Sequence, residues 1–132
     1  MRGIRRCTIL RVGPTALIVD DHPGFRAVAR RLLESAGFGI VMDAPDGETA
    51  IEMVRRERPA LVLLDVGLPG MDGIQVAEFL AREPDSPTVV LISGRDPADY
   101  GDRLRTNAAA GFVPKAELTG GRIMAFVTES RT

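Results

Sequence analysis

The sequence predicts an α/β fold: a three-layer (βα)5 sandwich built on a parallel five-stranded sheet. Two observations carry that prediction. Five short apolar runs recur along the chain, each followed by a segment with helical spacing of apolar residues. The runs are continuously apolar rather than alternating, which is the mark of strands covered on both faces. The first strand is Ala16 to Val19. The stretch PGFRAVARRLLESAGF follows as a helix with Phe25, Val28, Ala29, Leu32 and Leu33 at helical spacing, and Gly37 ends it. Ile40-Val41-Met42 is the second strand. DGETAIEMVRRERP is the second helix, with Ala50, Ile51 and Val54 on one face and Pro59 past its end. ALVLLD, 60 to 65, is the third strand, and GIQVAEFLAREP the third helix, with Ile74, Ala77 and Leu80 or Phe79 inward. TVVLIS, 88 to 93, is the fourth strand, and PADYGDRLRTNAAA a weaker fourth helix interrupted by Gly101. GFVPK, 111 to 115, is the short fifth strand. RIMAFVTES closes the chain as a fifth helix with Ile123, Phe126 and Val127 on one face.

A chain of 132 residues is one domain by size, expected over 14–132, with 1–13 as a disordered or loosely attached tail. The Arg2, Arg5, Arg6 and Arg11 cluster belongs to that tail. Its basic start lacks the long apolar run of a signal peptide. With 45% hydrophobic residues the chain can bury a core. Seventeen Lys and Arg face eighteen Asp and Glu, so the global charge gives no case for nucleic-acid or membrane binding. No apolar run approaches the roughly 20 residues of a membrane span. Cys7 is alone and cannot form an internal disulfide. A cytoplasmic protein is expected. Sixteen of the seventeen basic residues are Arg, and Lys115 is the single lysine.

Working groups in open α/β folds gather beyond the carboxyl ends of the strands. Asp20 and Asp21 stand at the end of the first strand, Asp65 at the end of the third, Ser93 at the fourth and Lys115 at the fifth. In the strand order 2-1-3-4-5 the three carboxylates converge. At about 4 Å each pair costs on the order of 4 kcal/mol at an effective dielectric of about 20, so one protonates or a cation joins them. Hard oxygen ligands, without Cys or clustered His, point to Mg2+ rather than zinc. Such an ion leaves positions for phosphate oxygens. Asp65 can then act as a nucleophile that takes a phosphoryl group, with Ser93 and Lys115 on the transferred oxygens.

The motifs LIVDDHPGFR, LVLLDVGLPGMDG, VVLIS and AAAGFVPK, in that order over about residues 14 to 128, resemble the receiver domain of two-component response regulators. The wording of VDDHP and AGFVPK is most similar to receivers that precede helix-turn-helix output domains. The resemblance implies a flavodoxin-like fold and assigns roles. Asp65 would be the phosphoacceptor. Asp21, Asp65 and the backbone carbonyl of Gly67 would hold Mg2+, with Asp20 acting through a metal-bound water. Ser93 would be the switch hydroxyl, with Gly94 leaving room beside it. Lys115 would pair with the phosphoryl group, and Phe112 would occupy the aromatic switch position. The implied partner is a sensor histidine kinase or phosphotransfer protein. A homodimer through the face of fourth helix, fifth strand and fifth helix is a further expectation, as is the absence of direct nucleic-acid binding by this chain. The domain would catalyse only its own phosphoryl transfer and slow dephosphorylation. Leu68 stands where the family's loop commonly has methionine. A helix-turn-helix module would need roughly 60 residues beyond Thr132.

Blander readings exist for each residue. Asp20 and Asp21 can cap a helix, Asp65 can open the turn-rich DVGLPGMDG, Ser93 can cap a loop, and Lys115 can be a surface charge. Phe112 can be a buried aromatic. Their joint placement at strand ends favours the site. His22, beside two acids near a helix start, reads as structural rather than as a phospho-donor. Gly70 and Gly73 read as backbone geometry. An aspartyl-phosphate hydrolase of the haloacid dehalogenase type would want a second Asp two places after Asp65, where Gly67 stands. A nucleotide- or flavin-binding module would want a phosphate-cradling loop after the first strand, where DDHPGF places negative charge. A degenerate receiver serving only as a scaffold would not need the intact set Asp20, Asp21, Asp65, Ser93 and Lys115.

Overall fold

A computed structural model of the chain describes residues 13–104 and 108–130. The Arg-rich stretch and most of the expected tail lie outside the described residues. Strand β1 (Thr15–Val19) is followed by α1 (Pro23–Ser35), β2 (Ile40–Ala44), α2 (Gly47–Glu57), β3 (Leu61–Asp65), α3 (Gly73–Leu80) and β4 (Thr88–Ser93). A 3-10 segment (Pro97–Leu104), β5 (Gly111–Pro114), a 3-10 turn (Lys115–Glu117) and α4 (Gly120–Ser130) complete it. All strand pairs are parallel and the order is β2-β1-β3-β4-β5, as expected.

The strands are apolar throughout because alternate residues feed two separate cores. Leu17, Val19, Val62, Leu64 and Leu91 point to one side, where Ile51 and Val54 of α2 and Ile74 and Leu80 of α3 cover them. Ala16, Ile18, Leu61, Leu63 and Ile92 point to the other, under Ala29 and Leu33 of α1 and Ile123 and Val127 of α4. This is the three-layer sandwich. Capping fixes two of the helix starts. The Asp46 side chain accepts from the Thr49 N–H at 2.8 Å ahead of α2. Asp72 and Gln75 form a reciprocal capping box on α3, each bond at 3.0 Å.

Three expectations need correction. The fourth helix is a 3-10 segment rather than an α-helix; the interruption at Gly101 is where it was expected, with φ of 58° and ψ of −139° outside the helical region. That conformation is essentially reserved for glycine, and Tyr100 and Leu104 on either side pack against the α2–α3 core. Strand β2 runs two residues further than Met42. Val28, although at helical spacing, is 50% exposed, because the buried face of α1 is carried by Ala29 and Leu33. The last helix starts at Gly120, in the TGG stretch, and Gly120 lies close against Leu32 of α1 and Ala36 just after it, where a side chain would collide.

Candidate functional site

The strand ends deliver their polar side chains to one rim of the sheet. β1 pairs with β3, so Val19 lies beside Leu64 and the two strands run out together into Asp20 and Asp65. β4 brings Ser93 beside Pro114 of β5, and Lys115 follows directly. The rim frames a cleft of about 280 Å³ lined by His22, Asp65, Gly67, Ser93, Gly94, Arg95, Tyr100 and Lys115.

Asp20 is fully buried. One carboxylate oxygen accepts from the His22 backbone N–H at 2.8 Å. The other faces Lys115 Nζ at 2.6 Å. Its backbone carbonyl accepts from Arg26 Nη1 at 2.6 Å, one turn into α1. Lys115 Nζ is also 3.8 Å from Asp65 Oδ2 and lies 4.3 Å from the Phe25 ring centre, a cation–π contact. The lysine therefore stands between two carboxylates, nearer to Asp20. Asp65 is 5% exposed, and its Oδ1 accepts from the Gly67 N–H at 3.3 Å. Burial first, and then the charge of Asp20, push the Asp65 carboxyl above its ordinary value, against the pull of Lys115 and the Gly67 N–H.

The loop behind Asp65 is forced by sterics. A Cβ on Gly73 would fall 2.8 Å from Val66 Cα and nearer still to the Asp65 carbonyl oxygen. The Gly73 N–H in turn donates to Val66 O at 3.0 Å. Gly70 takes a φ of 73°. Both glycines serve backbone geometry, as read from sequence.

Asp20, Asp21, Asp65 and His22 present ligand atoms within 4.8 Å of one another. Asp21 is open to solvent while Asp20 and Asp65 are buried. Three carboxylates against one lysine leave the cluster net negative, and the donors are hard oxygens, so the residues fit a Mg2+ ion. Ser93 is 2% exposed; its Oγ lies 2.6 Å from the Tyr100 hydroxyl and accepts from the Arg95 N–H at 3.0 Å. Gly94 is exposed, and a Cβ there would come no nearer than 4.0 Å to Lys115. Phe112 is half-buried and packs on the α2–α3 core, the same side as Tyr100 and Leu104.

Of the residues read as site candidates, Asp20, Asp21, Asp65, Gly67, Ser93, Gly94 and Lys115 sit at or beside this rim, whereas Phe112 lies within β5, beside Leu91. His22 stands at the start of α1 with its ring folded back on the two acids. Its Nδ1 lies 3.1 Å from Asp20 and 3.2 Å from Asp21. Sequence reasoning missed Tyr100, Arg26 and Phe25. Tyr100 had one available signal: it is the single tyrosine of the chain.

The sequence pattern described as the response regulator receiver domain matches residues 16–127. A Pseudomonas aeruginosa protein described as a transcriptional regulator is 39% identical over 101 residues, which are 76% of this chain and 49% of that one. The DNA-binding transcriptional activator EvgA of Escherichia coli K12 is 35% identical over 102 residues, 77% of this chain and 50% of that one. The chain spans about half the length of the curated relatives it matches. Among solved structures, the signal receiver domain of the response regulator NarL from Mycobacterium tuberculosis superposes with a TM-score of 0.77 at 34% identity, covering 90% of this chain and 97% of that one. No helix among the described residues is long and apolar enough to cross a membrane.

Proposed function

The chain belongs to the response regulator receiver domain family, and from that premise we propose that Asp65 is its phosphoacceptor, charged by a histidine kinase or phosphotransfer protein. The observation that supports this most is the clustering of Asp20, Asp21 and Asp65 with Lys115 against Asp20, where Asp65, Lys115 and Ser93 line one cleft.

In the transfer, an Asp65 carboxylate oxygen attacks the phosphorus of the donor phosphohistidine. The nitrogen–phosphorus bond breaks, the histidine nitrogen keeps the electron pair, and an acyl phosphate forms. Asp21, Asp65 and the Gly67 carbonyl are the residues that would hold Mg2+, with Asp20 acting at one remove. When bound, Mg2+ supplies the positive charge that lets phosphoryl oxygens approach three carboxylates. Lys115 swings from Asp20 toward the new oxygens, a short move given its 3.8 Å distance to Asp65. Ser93 donates its hydroxyl to another. Gly94 keeps the approach open, and the buried Asp20 holds Lys115 in waiting.

Output follows from the same wall. The 3-10 segment and Phe112 pack on the α2–α3 core beside Ser93, so a rearrangement at Ser93 reaches both. The face of the 3-10 segment, β5 and α4 is the proposed contact surface for a second copy or an effector. In this reading the domain is a switch in the cytoplasm, not a metabolic enzyme, and binds no nucleic acid itself. Output through a helix-turn-helix partner segment accords with the description of EvgA as DNA-binding. Titrating Mg2+ into the apo chain tests the ion site. Saturable amide shifts around Asp20, Asp21 and Asp65 are expected, weakened in Asp21→Asn. No response at tens of millimolar, a concentration above weak Mg2+ affinities, would refute the site.

A further inference from the structure

Ser93 is buried and has one hydroxyl proton to give. The Arg95 N–H is a donor, so it cannot take that proton. Among the described residues, the acceptor that the Ser93 hydroxyl reaches is the Tyr100 oxygen at 2.6 Å. Were Tyr100 the donor instead, the Ser93 proton would be buried without a partner, which is costly. Tyr100 is half-buried, and its own proton can turn to water. Both hydroxyls are satisfied when Ser93 donates to Tyr100.

We infer that Tyr100 is a positioning residue for the phosphoryl site: it holds the Ser93 proton away from Asp65 until a phosphoryl group competes for it. This rests on Asp65 being the phosphoacceptor. Ser93 cannot give one proton to both. When a phosphoryl oxygen takes it, the Tyr100 contact loses its donor and the ring is released. Gly101 follows directly, in a backbone conformation outside the helix, and forms the joint. Beyond the joint, Arg103 Nη2 grips Asp72 Oδ2 at 2.7 Å. Release at Tyr100 therefore moves the stretch before Gly101 while the Arg103 tether stays. The device couples occupancy of the cleft to the proposed contact face through one hydrogen bond.

The test uses beryllofluoride with Mg2+ as the phosphoryl mimic on the full chain. Tyr100→Phe keeps the ring in the core and removes only the hydroxyl. A net hydrogen bond of ordinary strength corresponds to about two- to tenfold in an equilibrium constant, so the variant should bind beryllofluoride tighter than the parent by that factor. In a Ser93→Ala background the same change should do nothing. Tyr100 is the sole tyrosine and the chain has no Trp, so the parent's intrinsic emission reads the contact directly and should change on beryllofluoride binding. Unchanged or weaker binding by Tyr100→Phe, with the parent still binding, overturns the latch and leaves the phosphoacceptor intact. A parent that does not bind beryllofluoride at all overturns both.

Discussion

Replacing Lys115 by Met removes the lysine cation that faces the buried Asp20 carboxylate. Asp20 is fully buried, and Lys115 Nζ lies 2.6 Å from one of its oxygens. Breaking a buried ion pair by deleting one partner costs about 3–5 kcal/mol, because the remaining charge is stranded. Two features lower that figure here. The lysine side chain is 21% exposed, so water screens part of the attraction, and the His22 N–H still serves the other Asp20 oxygen. The loss should therefore be about 2–3 kcal/mol. Met keeps an apolar side chain of similar length, which limits any cavity contribution, though it gives up the cation–π contact with Phe25. Urea unfolding near neutral pH, without divalent ions, measures it. Asp20→Asn in the Lys115→Met background should recover most of the loss, since an amide needs no cation. Asp65→Asn alone should raise stability, because it relieves burial of a charge and repulsion from Asp20. A Lys115→Met loss below about 0.5 kcal/mol, the range of a surface pair, or no recovery with Asp20→Asn, would refute this account of the cluster.

Asp46→Ala should cost about 1 kcal/mol by removing the cap on Thr49, whereas Asp46→Asn should cost much less, in parallel urea titrations. The carboxyls of Asp46 and Asp72 both sit below their ordinary value of 3.8: the Thr49 N–H lowers the first, while Arg103 and the Gln75 N–H outweigh burial at the second. A depressed folded value means stability present above 3.8 and lost as pH falls through and below it, so acid unfolding followed by circular dichroism should be shallower in Asp46→Asn and Asp72→Asn. Gly73→Ala places a methyl on the Asp65 carbonyl and Val66, and should destabilise by at least about 2 kcal/mol and disturb amide signals at Asp65; a neutral result would mean the 66–73 loop yields freely.

How much was legible follows from what each signal depends on. Strands β1, β3 and β4 were readable because both faces are covered, so their sequences contain little but apolar residues. The same order put Asp20, Asp65, Ser93 and Lys115 at strand ends, and the site followed from their chemistry. Strand β2 was read short because the charged Asp43 ends its apolar run. It lies on an edge strand, where Arg30 at 3.0 Å and Arg26 at 3.9 Å hold its carboxylate. The fourth helix was read with its break at Gly101 but as α rather than 3-10, because apolar spacing does not separate the two over so short a segment, and it gave no sign of the Tyr100–Ser93 contact. His22 was set aside because nothing in DDHP says that its ring folds back on the two acids.

The account stands on Asp65 as the group that carries phosphate. Intact-protein mass spectrometry after treatment with acetyl phosphate and Mg2+ tests it directly. One labile phosphoryl group is predicted on the parent, none on Asp65→Asn, and one on His22→Ala. Labelling of Asp65→Asn equal to the parent would place the phosphoacceptor elsewhere and contradict the account.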